Sequence, residues 1–283
     1  THAIHNNNAT FYSRDRVYAN FGFETFTSLE YMHDVERNPL GWAKDFVLTE
    51  EILKALRSTE DRDLVFTVSV QPHGKYPTAP LEGARTIRVT GEEAESRRAG
   101  LEYYLYQLKQ TDAFVARLVR SLSTFSEPTV VVFYGDHLPG IYSSASEDDN
   151  NSLALHLTDY FIWSNKASSS QGNEIDNADY SSPNFFVAQA ADHMNAKVSP
   201  YLAFLTEMHS KIAAMEPPVV NKIQGWDRIP EGQNIYLDQN GNPMSTDDFD
   251  KETKQLLADY KLIQSDIPAG KNYLKDTDFM TLP

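Results

Sequence analysis

The residues VVVFYGDHLPG, positions 130–140, decide how this chain is read. Three valines, a Phe and a Tyr make a run short enough for a buried strand and β-branched enough to prefer one. The run stops on Gly135, and a carboxylate and an imidazole follow side by side, Asp136 and His137. The tip of a core strand gains nothing from two ligating groups, whereas a metal ion or an anionic substrate does.

Working outward, THAIH (1–5), DLVFTVSV (63–70) and DYFIWSN (159–165) read as further strands. Residues 47–57, VLTEEILKALR, place Ile52, Leu53 and Leu56 at helical spacing, with Thr49 as the expected N-cap. Residues 92–122 read as one long helix with Leu101, Tyr104, Leu105, Leu108, Val115, Leu118 and Val119 on one face. Helices are expected over 183–195 and 199–214, each with a Pro near its first turn, and a solvated loop over SSASEDDNN, 143–151. Near-continuous apolar strands alternating with helices predict an α/β fold with a mostly parallel sheet flanked by helices. In such a sheet the ligand crevice lies beyond the carboxyl ends of the strands.

After Glu216 the texture changes. PPVVNKIQGWDRIPEG (217–232) is irregular, IYLDQNGNPM (235–244) carries the Asn-Gly signature of a tight hairpin, and 247–261 reads as a short charged helix. A boundary is expected near Pro217. It divides a larger domain, 1–215, from a C-terminal extension, 216–283, with a hairpin and a short helix.

Composition removes several function classes. With 25 basic against 40 acidic residues the formal charge is −15, and no basic run exists to track a phosphate backbone, so nucleic acid is not an expected partner. The absence of Cys excludes disulfides, thiolate metal sites and a thiol nucleophile. No apolar window is long enough to span a bilayer. The N-terminus is polar and resembles the inside of a domain rather than a signal peptide. The chain is therefore expected to be a piece of a longer protein whose anchors lie outside it.

Three predicted strand ends carry chemistry. THAI is followed by His5, then Asn7, Tyr12 and Arg14; DLVFTVSV by His73; and VVVFY by Asp136 and His137. Imidazole with carboxylate suits zinc or manganese, and carboxylate alone suits magnesium. Arg14 is the residue type that grips phosphate or sulfate through paired N–H donors. Any one of these histidines alone is more often an ordinary loop residue, and Arg14 alone an ordinary surface charge. Delivery at successive strand ends raises the joint reading above the separate ones. His2, His33, His156, His193 and His209 have no acidic neighbour at ligand spacing and read as structural. LDQNGNP lacks the distal Glu of a calcium loop, and neither a Gly-rich phosphate loop nor a G-x-S-x-G elbow is present.

HNNNATFYSRDRVYANFGFETF, VSVQPHGKYP, VVVFYGDHLP and DYFIWSN resemble, in that order, segments of the lipoteichoic acid synthase-like phosphoglycerol transferases. These belong to the alkaline phosphatase and sulfatase superfamily, and the likeness covers the C-terminal half of their extracellular enzymatic domain, here about 1–215. The resemblance implies one divalent ion, manganese with magnesium or zinc as alternatives, held by Asp136 and His137. It implies a phosphoglycerol head group bound by His5, Asn7 (where relatives often carry Asp), Tyr12 (where Trp is usual), Arg14 and His73. His73 would also act in catalysis, on an oxygen or the leaving group. The nucleophilic Thr and an acidic ligand belong, in such enzymes, to a region upstream of this chain.

The implied reaction is transfer of glycerophosphate from a phosphatidylglycerol-like lipid to a lipoteichoic acid-like envelope polymer. It would take place on the outer face of a bacterial membrane, with attachment through segments outside the chain. Alone, the chain is expected to hold metal weakly, to lack activity, and to offer a sheet edge for a homodimer. The alternatives are a sulfatase, phosphatase or phosphoethanolamine transferase acting on another phospho- or sulfo-ester, and a non-catalytic domain that binds envelope polymer through His5, Arg14 and His73.

Overall fold

Ala3 and Ile4 lie at 0% and 1% exposure, which makes their strand, β1 (His2–His5), the buried centre of a sheet. Its neighbours are β2 (Thr25–Ser28) and β3 (Val65–Val68), both parallel to it, in the order β2-β1-β3. The register sets His5 opposite Ser28 on one side and Val68 on the other. The computed structural model describes residues 1–82, 86–91, 95–142, 153–216 and 235–283. The chain divides into two units, Thr1–Thr124 with Pro139–Tyr142, and Phe125–Leu138 with Ser143–Pro283.

In the first unit, helices connect the parallel strands, as parallel pairing requires. Helix α1 (Arg14–Asn20) leads from β1 to β2, and α2 (Phe46–Leu56) leads from β2 to β3. Tyr18 of α1 packs edge-on against Phe26 of β2 and Phe66 of β3, with ring centroids 4.9 and 6.1 Å away. The long α3 (Glu95–Ser123) packs on α2 and buries Tyr103, Phe114, Leu118 and Leu122. Strand β2 is not predicted from the sequence. Three of its four residues, TFTS, are polar although only Thr25 is exposed and Ser28 is buried, so no apolar run announces it.

Helix α2 begins one turn earlier than expected, after Asp45 instead of at Thr49. Leu48 and Ile52 share its inner face, and Thr49 is fully buried within the helix. Asp45 makes no capping bond; its carboxylate is turned inward.

The second unit carries β4 (Val130–Tyr134) and β5 (Tyr160–Ser164), paired antiparallel with Val132 opposite Ile162. Phe133 and Phe161 stack at 5.3 Å on one face. Helix α4 (Phe186–His193) sets Phe186 against Tyr134 and Tyr160, and α5 (Pro200–Lys211) starts on Ser199, whose hydroxyl accepts from the Leu202 amide. Then β6 (Ala214–Glu216) pairs antiparallel with β7 (Ile235–Leu237), and α6 (Lys251–Asp266) follows. The expected Asn-Gly hairpin forms: the Met244 amide donates to the Tyr236 carbonyl at 2.8 Å, and Gly241 turns the chain at φ +78°.

One cluster holds this unit together. Phe185, Leu205, Met208 and Ile212 from before Glu216 pack with Tyr236, Phe249, Leu257 and Tyr260 from after it. The expected loop over 143–151, the irregular stretch over 217–232, the boundary near Pro217 and the start of the long helix at 92–94 fall outside the described residues.

Candidate active site

His5 closes β1 at 2% exposure. Its Nδ1 lies 2.8 Å from the Val68 carbonyl, which only accepts, so Nδ1 carries the proton and Nε2 carries a lone pair. That Nε2 is buried with no hydrogen-bond partner among the described residues, an unusual state for a core nitrogen. Burial lowers the His5 pKa, the Val68 carbonyl opposes the shift, and the Arg14 charge adds to it. His5 is therefore held neutral with its acceptor unused.

Asn6 to Asn8 leave β1 as a loop tied to the end of β2. The Leu29 amide donates to the Asn7 carbonyl at 3.1 Å, and the Glu30 carboxylate accepts from the Ala9 amide at 3.2 Å. Asn7 uses its own side-chain oxygen to accept from the Asn8 amide. Next come Tyr12 and Ser13, both left-handed at φ 55° and 54°. Two consecutive residues of this kind, neither of them Gly, cost on the order of 1–3 kcal/mol each, and such strain concentrates at functional sites. The strained turn delivers Arg14, whose guanidinium carbon lies 5.7 and 5.3 Å from the ring centroids of Phe11 and Tyr12. Arg14 also acts on its own helix: burial raises the Tyr18 pKa and the guanidinium works against it.

His73 follows β3 on a turn closed by its own amide to the Val70 carbonyl, at 3.0 Å. Its Nδ1 donates to the Gly74 carbonyl at 2.8 Å, and its ring meets Trp42 edge-on at 5.0 Å. Its imidazole is exposed. The first unit thus brings His5 and His73 to the carboxyl ends of two adjacent parallel strands, with Arg14 on the loop and helix that follow β1.

Asp136 and His137 stand beyond β4 in the second unit. Gly135 precedes them because a Cβ there would lie 3.0 Å from the Thr158 Cβ. The Thr158 hydroxyl donates to the Gly135 carbonyl at 2.6 Å. Asp136 accepts from the His137 amide, and His137 Nδ1 donates to the Leu138 carbonyl at 2.9 Å. Nε2 of His137 and Oδ2 of Asp136 are left 3.7 Å apart, with the side chains 67% and 76% exposed. Two donors each about 2.0–2.2 Å from one ion lie at most about 4.3 Å apart, so the pair fits a shared divalent ion. A backbone-anchored Nδ1 with Nε2 outward is the arrangement metal-bound histidines adopt. Among the described residues no third His, Asp or Glu joins them in a metal-binding group.

Of the remaining histidines, His33 is exposed, His156 Nδ1 lies 3.3 Å from the Glu216 carboxylate, and the other three are tied into the structure. His2 bridges Thr25 and Asp63 at 2.7 and 3.0 Å, His193 meets Ser164 at 2.6 Å, and His209 meets the Tyr180 carbonyl at 3.2 Å. Sequence reasoning missed two residues beside the site, Trp42 against His73 and Asp45 beneath both strand ends. An Asp directly before the apolar FVL was a signal for Asp45, read instead at Thr49.

The first unit carries imidazoles beyond its parallel strands, and in the second a strand ends on Gly-Asp-His, both placements suited to binding an anionic ester or a metal ion. Residues 1–196 match the family model described as Sulfatase, and the chain belongs to that family. Its structure is similar to the Streptococcus pyogenes phosphoglycerol transferase GacH solved with sn-glycerol-1-phosphate, at TM-score 0.74 and 27% identity, over 100% of this chain and 65% of that one. The Listeria monocytogenes lipoteichoic acid synthase LtaP shares the fold at TM-score 0.53 and 17% identity, over 100% of this chain and 70% of that one.

Among curated relatives, a Rhizobium meliloti protein assigned to the modification of cyclic beta-1,2-glucan is 27% identical over 98% of this chain and 42% of its own length. The capsular polysaccharide biosynthesis protein RkpI of the same organism is 31% identical over 57% of this chain and 27% of its own. The chain spans less than half the length of these two relatives. The expected α/β fold and the likeness to lipoteichoic acid synthase-like transferases are both borne out. Among the described residues no helix is long and apolar enough to cross a membrane.

Proposed function

We propose that this chain is part of a metal-dependent phosphoglycerol transferase and carries its glycerophosphate-binding strand ends and two of its metal ligands. The observation that carries the reading is the tautomer of His5. With its Nδ1 proton committed to the Val68 carbonyl, the neutral imidazole can only accept at Nε2, which suits a glycerol hydroxyl and not a phosphate oxygen. Arg14 supplies the paired donors for the phosphate, and His73 offers an exposed Nε2 that accepts or, once protonated, donates to a leaving oxygen. Asn7 and Tyr12 shape the loop between them.

Asp136 and His137 would hold the divalent ion, with manganese, magnesium and zinc all matching this donor pair. Such an ion lowers the pKa of a hydroxyl nucleophile and polarises a phosphoryl oxygen. With two protein ligands where such sites use three or four, the chain by itself is expected to bind the ion weakly and to turn over no lipid.

The donor is a phosphatidylglycerol-like lipid, supported by the glycerophosphate bound in GacH. The acceptor is an envelope glycan, supported by relatives named for glucan modification and capsular polysaccharide. An envelope-glycan acceptor favours a reaction on the outer side of the cytoplasmic membrane. The test is release of diacylglycerol from a fluorescent phosphatidylglycerol analogue by a longer form of the protein extended upstream, with Asp136→Ala and Arg14→Ala compared. Each substitution is expected to lower turnover by at least a hundredfold, and turnover equal to the parent would overturn the reading.

A further inference from the structure

The carboxylate of Asp45 is fully buried and among the described residues belongs to no ion pair, yet it ties four elements together. Its Oδ1 accepts from the Asn6 side chain at 2.9 Å, the Gln71 amide at 3.1 Å and the Val70 amide at 3.3 Å. Its Oδ2 accepts from the Thr111 hydroxyl of α3 at 2.7 Å. Its own amide donates to the Gln71 side chain at 2.8 Å, and Gln71 passes a further bond to Gln107 of α3 at 2.9 Å. Asn6 is the residue after His5. Val70 and Gln71 fill the turn that presents His73.

The same loop is held at its other end by Asn38, which donates to the Gln71 carbonyl at 3.0 Å and accepts from the amides of Leu40 and Trp42. Trp42 then packs on His73. Burial raises the Asp45 pKa, and bonds from Thr111, Asn6, Gln71 and Val70 pull against it. A fold needing only a helix cap at this point would leave the side chain at the helix end in solvent. Here it is spent on the spacing of two strand ends.

We propose that Asp45 is a positioning residue that fixes the distance between the ends of β1 and β3, and so between His5 and His73, without touching substrate. The proposal rests on reading those strand ends as the glycerophosphate site. Asp45→Asn separates geometry from charge. It keeps the Oδ1 acceptor for all three strand-end donors, and its amide can donate to Thr111, whose hydroxyl then accepts. Asp45→Ala removes all four side-chain bonds at once and keeps only the backbone amide's bond to Gln71.

The experiment uses the 283-residue chain, with sn-glycerol 1-phosphate as the probe. Two readouts are taken at a temperature where each variant is folded by circular dichroism: the Kd, and the imidazole nitrogen spectrum that reports the tautomers of His5 and His73. In Asp45→Ala the Kd is expected to rise at least tenfold, with His5 losing its single Nδ1-protonated tautomer. In Asp45→Asn both readouts are expected within threefold of the parent or unchanged. Should Asp45→Ala not fold, Thr111→Val removes one of the four bonds and is expected to weaken binding two- to fivefold. A folded Asp45→Ala, or in its place a Thr111→Val, with parental Kd and parental imidazole signals would overturn the proposal. Failure of the parent chain to bind the probe, with the imidazole signals still responding to Asp45→Ala, would leave the positioning role standing and reject the glycerophosphate reading.

Discussion

The ring of His5 donates through Nδ1 to the carbonyl of Val68, its register partner on the neighbouring strand, at 2.8 Å. A side chain thus adds one more rung to a parallel ladder, just where the ladder ends. The bond holds only in one tautomer, and burial with the nearby Arg14 disfavours the charged ring.

A pH dependence follows. The folded pKa of His5 lies below the unfolded one, so between the two values the unfolded chain binds the extra proton. Stability is full above the ordinary imidazole value and falls as pH drops through it. Urea unfolding at pH 7.5 and 5.5 should show a smaller loss for His5→Gln than for the parent, because Gln keeps a donor for Val68 and has no proton to take up. An identical loss in the two proteins would mean that His5 does not titrate on unfolding.

Arg14 lies against two adjoining aromatic rings, Phe11 and Tyr12, after a strained turn, an arrangement suited to a planar guanidinium and poorly suited to an ammonium. Arg14→Lys keeps the charge and loses the fork. Its Kd for sn-glycerol 1-phosphate is expected to rise about tenfold, a change of about 1.4 kcal/mol. Calorimetry that finds Lys as good as Arg would reduce the role of Arg14 to general attraction.

The strands that could be read in advance are those with apolar runs: β1, β3, β4 and β5 each stand within a residue or two of their expected place. β2 was illegible because three of the four residues of TFTS are polar, the buried Ser28 among them, so no apolar pattern marks the strand. The placement of His5, His73, Asp136 and His137 was legible because each ends or follows a readable strand. Asp45 was not, since its role depends on contacts with Asn6, Gln71 and Thr111, up to 66 residues away along the chain. A single sequence shows a residue type before a helix; it does not show which way that side chain turns.

His137 is oriented by the Leu138 carbonyl, with Nε2 left outward beside Asp136. Manganese titrated into the isolated chain is expected to give weak binding without a stoichiometric step. In the longer protein, His137→Ala should lower apparent manganese affinity by about 10- to 100-fold, the range seen when a metal site loses an orienting or liganding group. Tight stoichiometric binding to the isolated chain, lost in His137→Ala, would mean that its own residues suffice for a closed site.

Leu257 on α6 and Met208 on α5 belong to one buried cluster, although residues 217–234 separate their segments. If the C-terminal segment were an independent appendage, damage to α6 would leave α5 untouched. Shared packing predicts the opposite. Leu257→Ala removes a side chain at 6% exposure, and loss of that burial with the cavity left behind should cost about 2–4 kcal/mol. Urea unfolding measures the cost. Hydrogen exchange locates it, because the Ile212 amide, bonded to the Met208 carbonyl at 2.9 Å, should exchange faster in the variant. Unchanged protection at Ile212, with destabilisation confined to α6, would separate the two segments into distinct cooperative bodies.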